Sequence, residues 1–466
     1  MHTPVPPGAP LTRQLGLAPV TALVIGEVIG VGIFLTPASM ARSLGSPVWL
    51  LVVWLVMGAM ALSGALCYGE LAARFPEAGG GYVYLRRVYG PAVAFLYGWK
   101  CLLVMDPGIT AALAVGLASY VGYVLPLSSV GLKLVAIGAI VALAAVSTAG
   151  VRLGAGVTQW LTAFKLGALG LIAALALVLR LGQWSNFVPF VTQRPGSDPL
   201  PAALAPGLVG AFFAFGGWWE IAKLTGEARD PARTVPRALA IGVATVTAVY
   251  LLTSAVFLYL VPLERVTSGE AFAAQAGEAL FGPAGGQVFA AIVVVAVLGS
   301  LLALLMALPR VYYAMARDGV FFQAVAVVHP RFGTPARAIA LQAALASLLV
   351  VLGTFTQILA YFVFITVGFV ALTVAGLFVL RRREGEDAHV GYRTPGYPVT
   401  PVLFLLLVVV LLLLLAGHAP VQAALGAGIV GLGLPVYLVA FRRPPPPLTG
   451  RDPHDLDSHH PARGGG

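Results

Sequence analysis

Four ionisable side chains stand inside runs that are otherwise apolar: Glu27 in VIGEVIGVGIF, Asp106 in LLVMDPGIT, Lys165 in LTAFKLGALG and Glu220 in FFAFGGWWEIAK. An ionised side chain in lipid costs roughly 3 kcal/mol on insertion scales, so such groups face a cavity or one another. The acids are suited to hold a cation or a proton. The lysine is either a fixed charge or a proton carrier. Glycines accompany two of the four: Gly26, Gly30 and Gly32 surround Glu27, and Gly216 and Gly217 precede Glu220. Each glycine weakens a helix interior by roughly 1 kcal/mol against alanine. Where a helix unwinds, the amides opening the next half and the carbonyls closing the previous half have no intrahelical partner. Those amides, at the positive end of a helix dipole, suit a carboxylate. The carbonyls suit an ammonium group, so one break offers both ends of a zwitterion a place.

The elements that must position these groups are membrane helices. The chain has 466 residues, 59% hydrophobic and 10% charged, with a mean hydropathy of +0.92. Soluble domains carry about 25% charged residues. Apolar runs of about 20 residues, enough to cross a bilayer, recur along the chain. The short alternating strands of a barrel do not. The reading is an all-α integral membrane protein with 12 spans, at 17–41, 46–74, 91–123, 130–149, 155–181, 203–227, 236–262, 287–318, 336–352, 356–380, 399–417 and 420–441. The first run lacks the flanks of a cleaved signal and reads as a true span. Residues 1–16 form an N-terminal segment, 17–441 the membrane domain, and the Pro-, Gly- and charge-rich 442–466 a disordered tail. Cys67 and Cys101 lie in apolar runs and suggest neither a disulfide nor a metal framework. No cofactor motif is present.

The net charge of +10 is a topology signal. With the N-terminus inside, the cytoplasmic segments hold Arg13, Arg74, Arg86, Arg87, Arg152, Arg229, Arg233, Arg237, Arg317, Arg331, Arg337, Arg381 to Arg383, Arg393, Arg442 and Arg443. The opposite side holds Arg42, Arg180, Arg194 and Arg265. This asymmetry places both termini in the cytoplasm of a cell membrane protein, and nucleic acid is excluded as a partner. No residue pattern names a partner subunit.

Spans one and six open two five-span sets, 17–181 and 203–380, followed by two further spans within 399–441. Gly-interrupted spans at corresponding positions of two halves point to the binding site of an inverted-repeat carrier. Close packing through small residues would explain one such segment alone; two at matching positions favour broken helices. An ion channel would need a filter loop or charged rings, and an enzyme a nucleophile–base set or metal ligands. Neither pattern is found, and the seven histidines lie outside the spans or at their ends.

VIGEVIGVGIF resembles the first-helix motif of the amino acid–polyamine–organocation superfamily, G-x-x-x-G-[ST]-G-[IV]-F. GALCYGELAARFPEAGGGYVYLRRVYGP (64–91) is similar to its second span and first loop, and FAFGGWWEIAKLTGEARDPARTVPRAL (213–239) to its sixth span and following loop. ARDG (316–319) and HPRFGTP (329–335) fit the loop after span eight. The likeness covers roughly 15–440 and is nearest the L-type amino acid transporter branch. It implies the leucine-transporter fold, a 5+5 inverted repeat plus two extra helices. It implies secondary active amino acid transport by alternating access, sodium-independent, as an exchanger or a proton-coupled symporter. Transport of cationic amino acids, polyamines or related amines is the alternative. The resemblance places the substrate carboxylate on the amides of Gly30, Val31 and Gly32, and its amino group on carbonyls near Val28, Phe213 and Gly216. Phe213 becomes an aromatic gate, with Trp218 close by, and Lys165 takes the place of an ion between spans one and eight. The chain departs at Val31, where the family often has Ser or Thr; backbone amides must then hold the carboxylate without a hydroxyl. Glu27 reads as a cavity contact. Asp106 stands where L-type relatives can carry a base. Glu220, with Lys223 at i+3, reads as an ion pair, a proton site or a contact to a cationic side chain.

Overall fold

The computed structural model describes residues 11–30, 32–263, 277–278, 282–352, 355–384, 391–418 and 420–441. Val31 and the expected tail at 442–466 lie outside the described residues. The first predicted span is two helices, α1 (Leu17–Val28) and α2 (Gly32–Leu44). Next come α3 (Pro47–Arg74), the short α4 (Gly81–Tyr89) and α5 (Pro91–Lys100). A π-helical turn, Cys101–Met105, leads into α6 (Asp106–Val124). Then follow α7 (Ser129–Thr148), α8 (Val151–Val178) and α9 (Leu200–Phe215). A 3₁₀ segment, Glu220–Glu227, precedes α10 (Pro231–Leu260). The rest is α11 (Gly285–Ala307), α12 (Pro309–Arg317), α13 (Ala336–Leu352), α14 (Phe355–Glu384), α15 (Val399–His418) and α16 (Pro420–Ala440). Proline at the first position opens α3, α5 and α10, where its missing N–H costs nothing.

Among the described residues, nine helical runs are long and apolar enough to cross a membrane. Three shorter apolar helices, Leu17–Val28, Ala336–Leu352 and Gly426–Ala440, fall within predicted spans one, nine and twelve. Side chains on the outside of α7, α8, α15 and α16 are mostly apolar, among them Leu134, Leu171, Leu406 and Leu432, with the exposed charges Lys133 and Arg152 near the starts of α7 and α8. Such a surface fits lipid, and helices satisfy their backbone without water. Glu27, Asp106, Lys165 and Glu220 turn inward.

The arginine-rich end of the bundle is tied shut by ion pairs. Arg310 grips Glu227 with Nε at 2.7 Å and Nη2 at 3.3 Å, both side chains buried. Backbone bonds clasp the N-terminal segment to the same place: Gln14 N and Leu15 N donate to Glu227 O, and Arg229 N to Leu15 O. Glu77 meets Arg87 at 2.7 Å and Arg317 at 3.1 Å. Burial raises the Glu77 carboxyl, but the two guanidinium groups outweigh it and hold it below the usual glutamate range. Its stabilisation is present above the ordinary carboxylate pKa and is lost as the pH falls through the lowered one.

Candidate functional site

The chain leaves helical geometry after Val28 and regains it at Gly32. Gly30 N donates to Val28 O at 2.7 Å, folding the backbone back on itself. The amides opening α2 have no acceptor within the helix. The second break follows Phe215. Gly217 has φ of +112°, a conformation that favours glycine, and Glu220 N donates to Gly217 O as the 3₁₀ segment begins. The two breaks face each other. A Cβ built on Gly32 would stand 2.7 Å from Ala214 Cα, so these helices approach at backbone distance.

One cavity lies between the breaks. Its wall includes Glu27, Val28, Gly30 and Gly32 from the first, and Phe212, Phe213, Ala214, Gly216, Gly217, Trp219 and Glu220 from the second. Met105, Ile109 and Leu113 of the third predicted span and Leu304 of α11 complete it. Trp218 is elsewhere. Its ring packs edge-on against Tyr68 and Phe404, and Trp219 takes the cavity position. Direction cannot be carried by helical periodicity across a break, so Trp219 borders the cavity where Trp218 was expected. The Val28 carbonyl already faces two donors, Gly30 N and the Tyr250 hydroxyl at 2.9 Å. Tyr250 Oη also lies 2.7 Å from Ala214 O, joining both broken helices. An ammonium at Val28 O therefore has to share that carbonyl.

Lys165, on α8, is fully buried behind the first break. Its ammonium donates to Gly26 O at 3.0 Å, Ile29 O at 2.5 Å and Ser300 Oγ at 3.0 Å. Gly26 permits this approach, since a Cβ there would stand 2.7 Å from Thr162 Oγ1. A lysine thus fills a nest of oxygens from α1 and α11 that would otherwise suit a small cation.

Three acids gather around the second break. Glu27 is buried, and neither carboxylate oxygen has a hydrogen-bond partner among the described residues. Lys223 pairs with Glu220 and lies 3.3 Å from Asp106 Oδ1. Tyr312 Oη approaches Asp106 Oδ2 at 3.1 Å. Lys100, also buried, turns to Met105 Sδ and the rings of Tyr97 and Phe369 instead. Sequence reasoning missed Lys100, Tyr250, Ser300, Tyr312 and Gln342. A buried lysine in a run of apolar residues was a usable signal for Lys100; the others are ordinary polar residues whose partners are distant in sequence.

The amino acid permease family model matches residues 15–441. The serine/threonine exchanger SteT of Bacillus subtilis is 30% identical over 435 residues, covering 92% of this chain and 96% of that one. The large neutral amino acids transporter small subunit 2 of Homo sapiens is 29% identical, covering 93% of this chain and 81% of that protein. The b(0,+)-type amino acid transporter 1 of Oryctolagus cuniculus is 31% identical, covering 81% of this chain and 78% of its own length.

Proposed function

We infer that this chain, which belongs to the amino acid permease family and to its L-type branch, is a secondary active transporter that moves amino acids by alternating access. Members of the family are transporters and not enzymes, and the chain is a multi-pass membrane protein. In this reading spans one to five and six to ten are inverted repeats of the leucine-transporter fold, with α15 and α16 as the two extra helices. Residues 17–181 and 203–380 are then the repeats, within a cell membrane and with both termini cytoplasmic. The substrate carboxylate rests on the amides at Gly30, Val31 and Gly32, and its ammonium lies near Glu27 and the carbonyls at Val28, Phe213 and Gly216. The single observation that carries this reading is the pair of helix breaks meeting across one cavity.

Lys165 supports sodium independence, because its ammonium already donates to the carbonyl and hydroxyl oxygens that would otherwise suit a small cation. In proteoliposomes, labelled amino acid should show counterflow, with the same initial rate when choline replaces sodium. Conductance without counterflow would make the protein a channel. A steep sodium requirement would remove Lys165 from its proposed role.

A second reading, transport of substrates with a cationic side chain, draws support from the cavity wall. Glu27 and Glu220 both reach it, and neither lysine nor arginine does among the described residues. A hydrogen bond to a charged group contributes about 1.5–3 kcal/mol, or roughly tenfold or more in affinity. Glu27→Gln should therefore weaken competition by lysine, arginine or ornithine at least tenfold more than competition by leucine or serine. Equal effects on both groups would leave Glu27 as a contact for the α-ammonium alone.

A further inference from the structure

A ring of polar groups closes directly behind the cavity wall, between the lining residues Met105 and Ile109 of the third predicted span. Tyr312 Oη lies 3.1 Å from Asp106 Oδ2 and 2.7 Å from Gln342 Oε1. Gln342 Nε2 lies 2.9 Å from Thr110 Oγ1, which lies 2.8 Å from Asp106 O. All four side chains are buried, and they come from α6, α12 and α13. Buried groups of this kind need complete hydrogen bonding.

The ring has two settings, which differ by one proton. Tyr312 has a single O–H and faces Asp106 Oδ2, Gln342 Oε1 and, more distantly at 3.5 Å, Cys101 O. With Asp106 ionised, Tyr312 donates to the carboxylate. Gln342, its amide turned, then donates to Tyr312 Oη and accepts from Thr110. With Asp106 neutral, the acid O–H donates to Tyr312 Oη, Tyr312 donates to Gln342 Oε1, Gln342 donates to Thr110, and Thr110 donates to the Asp106 carbonyl. The same heavy-atom positions serve both settings, because the two ends of an amide are distinguished only by their hydrogen bonds. One proton on Asp106 reverses the three bonds between side chains, and Thr110 turns its single O–H from Gln342 to the Asp106 carbonyl.

The other oxygen of Asp106 gives that proton something to switch. Lys223 stands 3.3 Å from Oδ1, on the 3₁₀ segment beyond the second break, and is shared with Glu220. An ionised Asp106 ties this segment to α6 by charge. A neutral Asp106 leaves Lys223 to Glu220 alone. The remaining ionisable groups that act on Asp106 are Lys100 and Cys101 ahead of it, Glu27 on α1, and Tyr312 on α12. Lys100 is turned away onto sulfur and aromatic rings, so Lys223 is the cation in contact.

We propose that Asp106 binds the coupling proton, that its release from Lys223 frees the lower half of the sixth span, and that the ring through Tyr312, Gln342 and Thr110 passes the protonation state to α12 and α13. This rests on the transporter reading and narrows it from exchange or symport to proton-coupled symport. Only a differential free energy between two states moves such an equilibrium, and the contact made and lost at Lys223 supplies one.

The test uses the full-length protein in proteoliposomes with a pH dye trapped inside. An inward proton gradient should accelerate net uptake of a substrate identified by counterflow, and uptake should acidify the lumen. In Asp106→Asn, the ratio of uptake with the gradient to uptake without it should fall to one, whatever rate remains. Tyr312→Phe keeps the carboxyl and removes the phenol; its uptake should remain gradient-driven, with the midpoint of its pH dependence moved by about one unit, tenfold in proton affinity. Tyr312→Phe decides the case if Asp106→Asn elutes as aggregate. Wild-type counterflow with no gradient response overturns the proton site and leaves the transporter reading standing. Absence of counterflow overturns that reading itself. A full gradient response in Asp106→Asn, or an unmoved midpoint in Tyr312→Phe, overturns the assignment to Asp106 or to the ring.

Discussion

Gly32→Ala is expected to abolish uptake while the purified protein remains monodisperse and helical. The added Cβ would lie 2.7 Å from Ala214 Cα and 3.1 Å from Ala214 Cβ. The obstacle is backbone, which cannot swing aside as a long side chain can. Forcing a methyl group into a packed contact costs about 1–3 kcal/mol. Here the cost falls on the separation of the two broken helices, which Tyr250 also fixes through Val28 O and Ala214 O. Gly30 is the natural control. A Cβ there would meet Leu113 Cδ2 and Ser300 Oγ at 3.5 Å, ordinary van der Waals contacts. Gly30→Ala should keep measurable uptake, whereas the bulkier Gly30→Val should crowd the proposed carboxylate site. A Gly32→Ala protein that transports at the native rate would show that the close approach of α2 and α9 has no part in transport.

Lys165→Ala should slow turnover by more than tenfold and weaken substrate binding only modestly. The ammonium touches no cavity-lining group other than through the backbone it holds; its acceptors are Gly26 O, Ile29 O and Ser300 Oγ. Its removal leaves two carbonyls at the end of α1 with one hydroxyl between them, since Ser300 Oγ lies 2.5 Å from Gly26 O and 2.9 Å from Ile29 O. A buried acceptor left without its donor costs about 1–3 kcal/mol. That cost differs between outward- and inward-facing states if α1 moves against α8 and α11, and about 1.4 kcal/mol of difference shifts their ratio tenfold. Equilibrium binding in detergent and exchange in proteoliposomes separate the two effects. Native exchange across pH 5 to 8 would end the coupling role. Loss of binding alone would move Lys165 into the substrate site.

The helices and both breaks were legible in the sequence because their signals are local. An apolar run long enough to cross lipid, or paired glycines within one, needs no partner to be noticed. Lys165 was legible for the same reason: a charge far from either end of its span has to be held by something. What holds it was not legible. Ser300 lies 135 residues away, and a serine in an apolar helix ordinarily bonds its own backbone. Tyr312 and Gln342 are 206 and 232 residues from their partners Asp106 and Thr110, and no spacing rule connects them. An ion pair between Glu220 and Lys223 was one of the readings their i+3 spacing allowed; Asp106 as their third member follows only from the packing of α6 beside the 3₁₀ segment. The tryptophans show the limit within a single motif, since a left-handed glycine resets which neighbour faces the cavity.

The clasp between residues 14–15 and 227–229 is made of main chain. Its three hydrogen bonds, from Gln14 N, Leu15 N and Arg229 N, involve no side chain. At Gln14 and the exposed Arg229, mutation can therefore change the side chain, proline excepted, without removing these bonds. The ion pair beside it has no such freedom: Arg310 and Glu227 are buried, and exchanging either strands the other's charge. One closure thus has two inheritances. The half written in backbone lets Gln14 and Arg229 drift between descendants of this chain, and the half written in charge can change only if both residues change together.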